Sequence, residues 1–467
     1  MEKSLMIKLA AVIAVVVVVA AGAAVVLTSD SGKDSGKDPD SPSISTSGGL
    51  KIRGNVDGNN TIDQADMDLL LKVKEDPSLL SEYPYADVNG NKVVDDEDVA
   101  ILQDMIDRKE GITVYVESLD RSGNTVTVPV GYPLRNVVPV GVNIQMPLLY
   151  AGGGEYIAGY FDKGYTEAEK AFSSDARNLY GSSRTISDGA WANFTKLAAD
   201  LQKDGGVGAF IIDYSTISNI TDQRAADLSD SGIPMISYMS ADSTIELYTI
   251  LTFSYLFGKD TEKIGSDYSA LMDDVLKQID GKLGSLADED KTTYICFTMT
   301  LYICGSESTY NWNASTVHGR PYGEVNSDFA SKYVSGSTVM ESTEALSNYT
   351  DVGCLISNRS SDWQTDTRFG TTEENIRDLV VSTWETRNAP DFFKGLEDKL
   401  VYVNNILPGV AKLAYLAVAL YGDQFTLEWA NGVLQDCIDL GLVPLQGYTI
   451  EQMVPYIDYG LYLKCKN

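Results

Sequence analysis

Leu256-Phe257-Gly258-Lys259-Asp260-Thr261-Glu262-Lys263-Ile264 opens the stretch that decides how this chain is read. From Thr261 to Leu283 apolar residues recur at helical spacing among charged ones, which predicts one long amphipathic helix. On either side, short β-rich runs alternate with helical runs. Strands are expected at Ile112–Val116, Thr125–Val130, Asn136–Val140, Gly208–Ile212 and Met235–Tyr238, then at Thr292–Thr298, Gly353–Ile356 and Leu400–Val403. Helices are expected at Asp188–Lys203, Asp222–Ser231 and Thr244–Leu256, then at Thr372–Trp384 and Leu407–Leu420. Such alternation implies parallel sheets with helices on both faces. The expected class is α/β, with two Rossmann-like lobes (112–260 and 286–467) joined by a helix at 261–285.

Several landmarks follow one another in order. Val114–Val130, with Asp120-Arg121-Ser122-Gly123-Asn124-Thr125-Val126, reads as an opening hairpin. Tyr132-Pro133-Leu134-Arg135-Asn136-Val137-Val138 reads as the strand after it. Val207–Asp213, Ser231-Gly232-Ile233-Pro234, Leu251–Leu283, and Leu400–Leu420 followed by Tyr421-Gly422-Asp423-Gln424-Phe425 complete the series. Over 112–467 this order resembles the class III substrate-binding proteins of ABC transporters, the iron-siderophore, haem and cobalamin group.

The resemblance implies a metal complex as guest, an ABC permease as partner, and binding in place of catalysis. It also implies one surface acid per lobe for the permease. Glu344, in Glu344-Ala345-Leu346, fits the second lobe. The first lobe's stretch Ile186-Ser187-Asp188-Gly189-Ala190-Trp191-Ala192 has no Glu, and the shorter Asp188 stands in its place. Ligands of two-lobe proteins meet strand-end loops. Those loops are Asn143-Ile144-Gln145-Met146, Tyr214-Ser215 and Tyr238-Met239 in the first lobe. In the second they are Ser306–Trp312, Asn358-Arg359 with Trp363, and Asn404-Asn405. The candidate contacts are Asn143, Gln145, Tyr214, Tyr238, Trp312, Arg359, Trp363 and Asn404. Aromatic and amide groups suit a large, partly planar guest with polar edges. Arg359 suits an anionic ligand or, equally, a local structural bond.

Upstream, two stretches repeat: Asn55-Val56-Asp57-Gly58-Asn59-Asn60-Thr61-Ile62-Asp63-Gln64-Ala65-Asp66 and Asp87-Val88-Asn89-Gly90-Asn91-Lys92-Val93-Val94-Asp95-Asp96-Glu97-Asp98. Oxygen side chains fall at positions 1, 3, 5, 9 and 12 of both, with a backbone carbonyl expected from position 7. Apolar Ile62 and Val94 at position 8 are expected to pair the loops. Helices should follow, with Met67, Leu69, Leu70 and Val73 on one and Val99, Ile101, Leu102, Met105 and Ile106 on the other. Gly at position 4 and Asp at 12 depart from the EF-hand, which has Gly at 6 and Glu at 12.

The repeat at 54–109 resembles the dockerin type I module instead. It implies a small all-α calcium-binding piece at 50–111 that holds two calcium ions. Asn55, Asp57, Asn59, Thr61, Asp63 and Asp66 would bind one ion, and Asp87, Asn89, Asn91, Val93, Asp95 and Asp98 the other. A cohesin-like partner would dock at the helix starts Gln64-Ala65 and Asp96-Glu97. These lack the Ser-Thr pair common in cellulosomal dockerins. The alternative to a solute carrier is an extracellular scaffold or adhesion component assembled through this module, with the large domain repurposed.

Leu9 to Leu27 is an unbroken run of apolar and small residues, long enough to cross a bilayer as a helix. Lys3 and Lys8 precede it and Ser29, Asp30 and Asp34 follow, which places the rest of the chain outside. A transmembrane anchor at 1–27 is expected; a signal peptide cleaved near Ala20–Ala24 is the alternative. Residues 28–49 read as a flexible linker. Sequons at Asn59, Asn193, Asn219, Asn313, Asn348 and Asn358 fit a surface-held, exported chain.

With 36 Lys and Arg against 66 Asp and Glu, net −30, a nucleic-acid partner is excluded. Five Cys allow the pairs Cys296–Cys304 and Cys437–Cys465 with Cys354 left over. One histidine, His318, leaves no His-cluster zinc site and no partner for a Ser or Cys nucleophile. His318 is expected in a loop.

Overall fold

A computed structural model describes residues 49–120, 124–140, 142–157, 160–161, 185–186, 208–213, 226, 229–238, 243–299, 302–304, 309–333, 338–340, 349–357, 372–387, 395–404, 407–442, 445 and 447–467. They fall into two compact units. Unit one takes the described residues of Met1–Lys163, Arg177–Ser240 and Thr244–Ser269; unit two takes those of Gly164–Ala176, Ala241–Ser243 and Ala270–Asn467. Among the described residues no helix is long and apolar enough to cross a membrane, and Leu9–Leu27 lies outside them.

Unit one begins with the repeat. Its helices are α1 (Gln64–Glu75) and α2 (Asp96–Ile106). Each starts with an aspartate whose side chain accepts from the first turn while an aspartate three residues on accepts from the cap's N–H. Met67, Leu70 and Val73 of α1 and Leu102 and Met105 of α2 are buried, the expected stripes. A hairpin follows, β1 (Ile112–Leu119) and β2 (Thr125–Tyr132), in register from Ile112 opposite Tyr132 to Leu119 opposite Thr125. Along β1, Val114, Val116 and Ser118 are buried and alternate with more exposed neighbours.

Then comes β3 (Val137–Val140), α3 (Val142–Tyr150), and a short parallel pair, β4 (Tyr160–Phe161) with β5 (Thr185–Ile186). β6 (Ala209–Asp213) and β7 (Met235–Tyr238) join β3 in a parallel sheet of order β3-β6-β7. Val137, Val138, Ala209, Phe210, Ile211, Ile212 and Ile236 have no exposed surface, as parallel strands covered on both faces require. The helices α4 (Ser243–Leu256) and α5 (Lys259–Leu283) close the unit; α5 contributes its residues through Ser269 and continues as part of unit two.

The turn between α4 and α5 shows why two of the sequence landmarks exist. Gly258 takes φ +108, a region that disfavours side chains, and Pro133 Cβ would lie 3.3 Å from an added Cβ. Leu134 N–H donates to Leu256 O (2.7 Å), and the Arg135 guanidinium donates to Phe257 O while lying 4.0 Å from the Tyr156 ring centre. The Pro-Leu-Arg and Phe-Gly-Lys stretches are the two halves of one lock.

Unit two holds a sheet of order β11-β9-β8-β12-β13-β14, with β10 (Arg320–Pro321) paired to one end of β8. β8 (Thr293–Met299), β12 (Cys354–Ser357) and β13 (Leu400–Val403) run parallel. β9 (Tyr302–Cys304), β11 (Thr338–Met340) and β14 (Tyr456–Ile457) run antiparallel to their neighbours. The purely parallel sheet expected here is therefore a mixed one.

Its helices are α6 (Thr309–Thr316), α7 (Ser327–Tyr333), α8 (Glu373–Arg387), α9 (Gly409–Leu420), α10 (Leu427–Asp439), α11 (Ile450–Met453) and α12 (Tyr459–Lys466). α9 is apolar apart from Lys412 and is buried along nearly its whole length. Trp384 of α8 stacks on Tyr462 of α12 (5.1 Å, 14°) and meets Tyr402 of β13 edge-on (5.6 Å, 65°) in the core.

Residues 50–111 fall in the same compact unit as the described residues of the first lobe. Two further expectations change. Asn143-Ile144-Gln145-Met146 and Trp312, read as loops, sit in α3 and α6. The Cys437–Cys465 pair does not form, since Cys465 is a free thiol, and Cys296 is likewise a thiol and not half of a disulfide. Cys354 is buried and its thiol is pushed up to about 12 by desolvation.

Candidate functional site

The best-defined polar constellation lies in the two repeat loops, and the two are built alike. At position 3, Asp57 accepts from Asn59 N–H (3.0 Å); at position 5, Asn59 accepts from Thr61 N–H (2.6 Å). In the second loop Asn89 accepts from Asn91 N–H (3.0 Å), and Asn91 from Val93 N–H (2.8 Å). At position 9, Asp63 accepts from Ala65 N–H and Asp95 from Glu97 N–H, each 2.8 Å. Each of these side chains bonds the amide two residues on, a turn that Asn and Asp favour. Gly58 (φ +71) and Gly90 (φ +76) supply the left-handed residue at position 4 in both.

The last position closes each loop. Asp66 accepts from Asp57 N–H (3.1 Å) and Asp63 N–H (2.9 Å). Asp98 accepts from Val88 N–H (2.8 Å), Asn89 N–H (3.1 Å) and Asp95 N–H (2.9 Å). Both carboxylates are fully buried. Burial pushes the Asp66 carboxyl up to about 6; the Asp63 and Asp57 amides oppose it and the Asp57 charge adds to it.

The first position carries the sharpest signal. Asn55 is buried with its amide nitrogen on Leu50 O (3.0 Å) and Asn59 O (2.8 Å), yet its Oδ1 has no hydrogen-bond partner. Asp87 is also buried; Oδ2 accepts from Lys92 N–H (3.0 Å), and Oδ1 again has no partner. A buried oxygen without a donor costs about 1–3 kcal/mol. The same orphan at the same position of both loops fits oxygens arranged for a cation, and the donor set of carboxylate, amide and carbonyl is one that hard cations take. Among the described residues no group of three or more His, Cys, Asp or Glu is drawn together as metal ligands. The loops carry the side-chain amide oxygens of Asn55, Asn59, Asn89 and Asn91 besides their carboxylates.

The position-8 residues do not pair the loops. Ile62 is buried and its carbonyl accepts from both terminal nitrogens of Arg108 (3.2 Å each). The helix starts Gln64-Ala65 and Asp96-Glu97 are exposed.

Of the solute candidates, Tyr214, Arg359 and Trp363 lie outside the described residues, as do Glu344 and Asp188. Asn143 and Gln145 are in α3, Tyr238 ends β7 opposite Asp213, and Trp312 is in α6. Asn404 is wholly buried after β13, donating from Nδ2 to Met453 O (2.9 Å) and from its N–H to Pro455 O (3.0 Å). Of the sequons, Asn313 is 5% exposed in α6 and is closed to an enzyme adding a glycan, while Asn193, Asn219, Asn348 and Asn358 lie outside the described residues. His318, in a turn at φ +59, was missed as a contact: its Nε2 lies 2.6 Å from Asp280 Oδ1 on α5.

No family model matches this sequence, and no curated protein matches it. Solved structures do. FepB, a TroA-like periplasmic binding protein of Veillonella parvula, matches with TM-score 0.51 and 13% identity over 69% of this chain and 95% of its own. CeuE of Helicobacter pylori, in a nickel–histidine complex, gives TM-score 0.46 and 13% identity over 71% and 97%. MolA of Haemophilus influenzae, bound to molybdate, gives 0.46 and 13% over 70% and 97%. The chain therefore has the α/β fold of the periplasmic binding proteins. Identity this low speaks for the fold and no further.

Proposed function

We propose that this protein is a cell-surface solute-binding protein. It takes up a metal complex (an iron-siderophore, haem or a corrinoid) and hands it to an ABC importer. The supporting observation is the fold likeness to FepB, which spans 95% of that chain. The family's role is capture and release, so no catalytic residues are assigned. Asn143, Gln145, Tyr214, Tyr238, Trp312, Arg359 and Trp363 are the proposed solute contacts, while Asn404, wholly buried and bonded to Met453 O, is withdrawn from that set; Glu344 and Asp188 are the proposed permease contacts. Leu9–Leu27 is proposed as the membrane anchor.

The two loops are proposed to hold one calcium ion each, supported by the orphaned oxygens of Asn55 and Asp87. Their exposed helix starts favour a cohesin-like partner as a second use of the same module. The solute assignment is tested by thermal shift on the exported chain with a ferric siderophore, haem and cobalamin. The fragment 112–467 is unsuitable, because residues 49–111 pack into unit one. A shift with one of the three supports the reading, and a shift lost in Arg359→Ala places that guanidinium on the guest. No response to any of the three would sink it.

A further inference from the structure

Two arginines tie the loops to the rest of unit one. Arg53 Nη1 donates to Asp87 O (2.7 Å) and Asp87 Oδ2 (3.4 Å), while its Nε donates to Thr127 Oγ1 of β2 (2.8 Å). It thus holds the oxygen of Asp87 opposite the orphaned one. Arg108 donates to Ile62 O in the first loop, and its Nε and Nη2 pair with Glu262 of α5 (Nε–Oε2 2.9 Å). Burial disfavours the Arg108 charge, but the Glu262 carboxylate outweighs it and the guanidinium stays firmly protonated.

Asn60, at position 6 of that loop, donates to Ser269 Oγ (2.6 Å). Glu262 and Ser269 are seven residues apart, on one face of α5. Segment 51–53 pairs with β1: Arg53 N–H donates to Tyr115 O (2.8 Å) and Glu117 N–H to Lys51 O (2.9 Å). Lys51 N–H donates to Thr252 Oγ1 of α4 (3.0 Å), and Ser237 N–H of β7 to Ser118 Oγ of β1 (2.9 Å).

We propose that the two loops are a calcium-operated brace for the first lobe, with Arg53 and Arg108 as positioning residues that pass each loop's order to β2 and to the start of α5. This rests on the calcium reading above and assigns it a regulatory consequence: cation occupancy sets how often the lobe's own elements open. Elements that open only together with the loops gain the same protection as the loops. That factor is one plus the ratio of calcium to its dissociation constant, about 100-fold at a hundredfold excess.

Hydrogen exchange on the exported chain, with calcium and with EDTA, tests this, and isothermal titration with calcium runs beside it. The expected result is slowing of about 100-fold both in 55–66 and 87–98 and in 125–132 and 259–269. The triple variant Thr127→Val, Glu262→Gln, Ser269→Ala leaves every loop ligand in place. It should bind calcium with heat like the parent and keep the loop protection, while 125–132 and 259–269 lose theirs. Binding with protection confined to the loops in the parent would overturn the brace and leave the calcium reading standing. Protection spreading undiminished in the triple variant would overturn the role of the arginine links. No heat and no protection anywhere would remove the calcium reading and the brace with it.

Discussion

The repeat loops of unit one and the core of unit two are ordered by different forces. In the loops, side-chain oxygens bond amides two residues along, and three buried oxygens, the Oδ1 atoms of Asn55, Asn60 and Asp87, are left without a donor. In unit two, Trp384, Tyr402, Tyr462, Leu355, Ile295 and Val380 are buried against one another with their order set by shape. The first kind of order is local and asks for something from solution. The second is long-range and self-sufficient. Three substitutions or conditions separate them.

The largest effect is expected in the core. Trp384→Ala removes a ring stacked on Tyr462 and Tyr459 and should cost unit two about 3–5 kcal/mol. Calorimetry should show its transition moving down while that of unit one stays in place. A single transition that moves as a whole would break the contrast.

Calcium removal acts the other way round. At a hundred times the dissociation constant each loop should add about 2.7 kcal/mol to unit one, lost in EDTA, with unit two unmoved. Identical melting in calcium and in EDTA would mean that the loops stand without a cation.

Smallest is Gly58→Ala. Nothing lies within 4 Å of the added methyl, so the change isolates the backbone cost of φ +71, about 1–2 kcal/mol. A neutral outcome in urea titration would show that position 4 does not hold the left-handed turn.

What the sequence displayed follows the same division. The loop oxygens were legible because each turn spans two or three residues. β7 and β13 were legible to the residue as compact β-rich runs. The stripe Ala430, Val433, Leu434 and Cys437 of α10 keeps helical spacing but is sparser than the run of α9. α3 contains Pro147, and its apolar run reads as a strand-end loop. The antiparallel edges β9, β11 and β14 are two or three residues long, too short for any periodic signal.

Least legible were the links that place residues 50–111 inside unit one. Arg53 and Thr127 are 74 residues apart and Arg108 and Glu262 are 154 apart, and such pairs leave no local mark. The proposed solute contacts rest on resemblance alone, because no spacing rule joins residues so far apart in the chain.

The lone imidazole has a practical consequence. A chain of 467 residues with one histidine gives one set of imidazole ring resonances. Here that ring is hydrogen-bonded to Asp280, and the residue's carbonyl accepts from the Tyr421 hydroxyl (2.6 Å). Both partners belong to unit two. The protein thus carries its own spectroscopic label in that unit, in place before any probe is attached, and its signal reports on the hydrogen bond between His318 and α5.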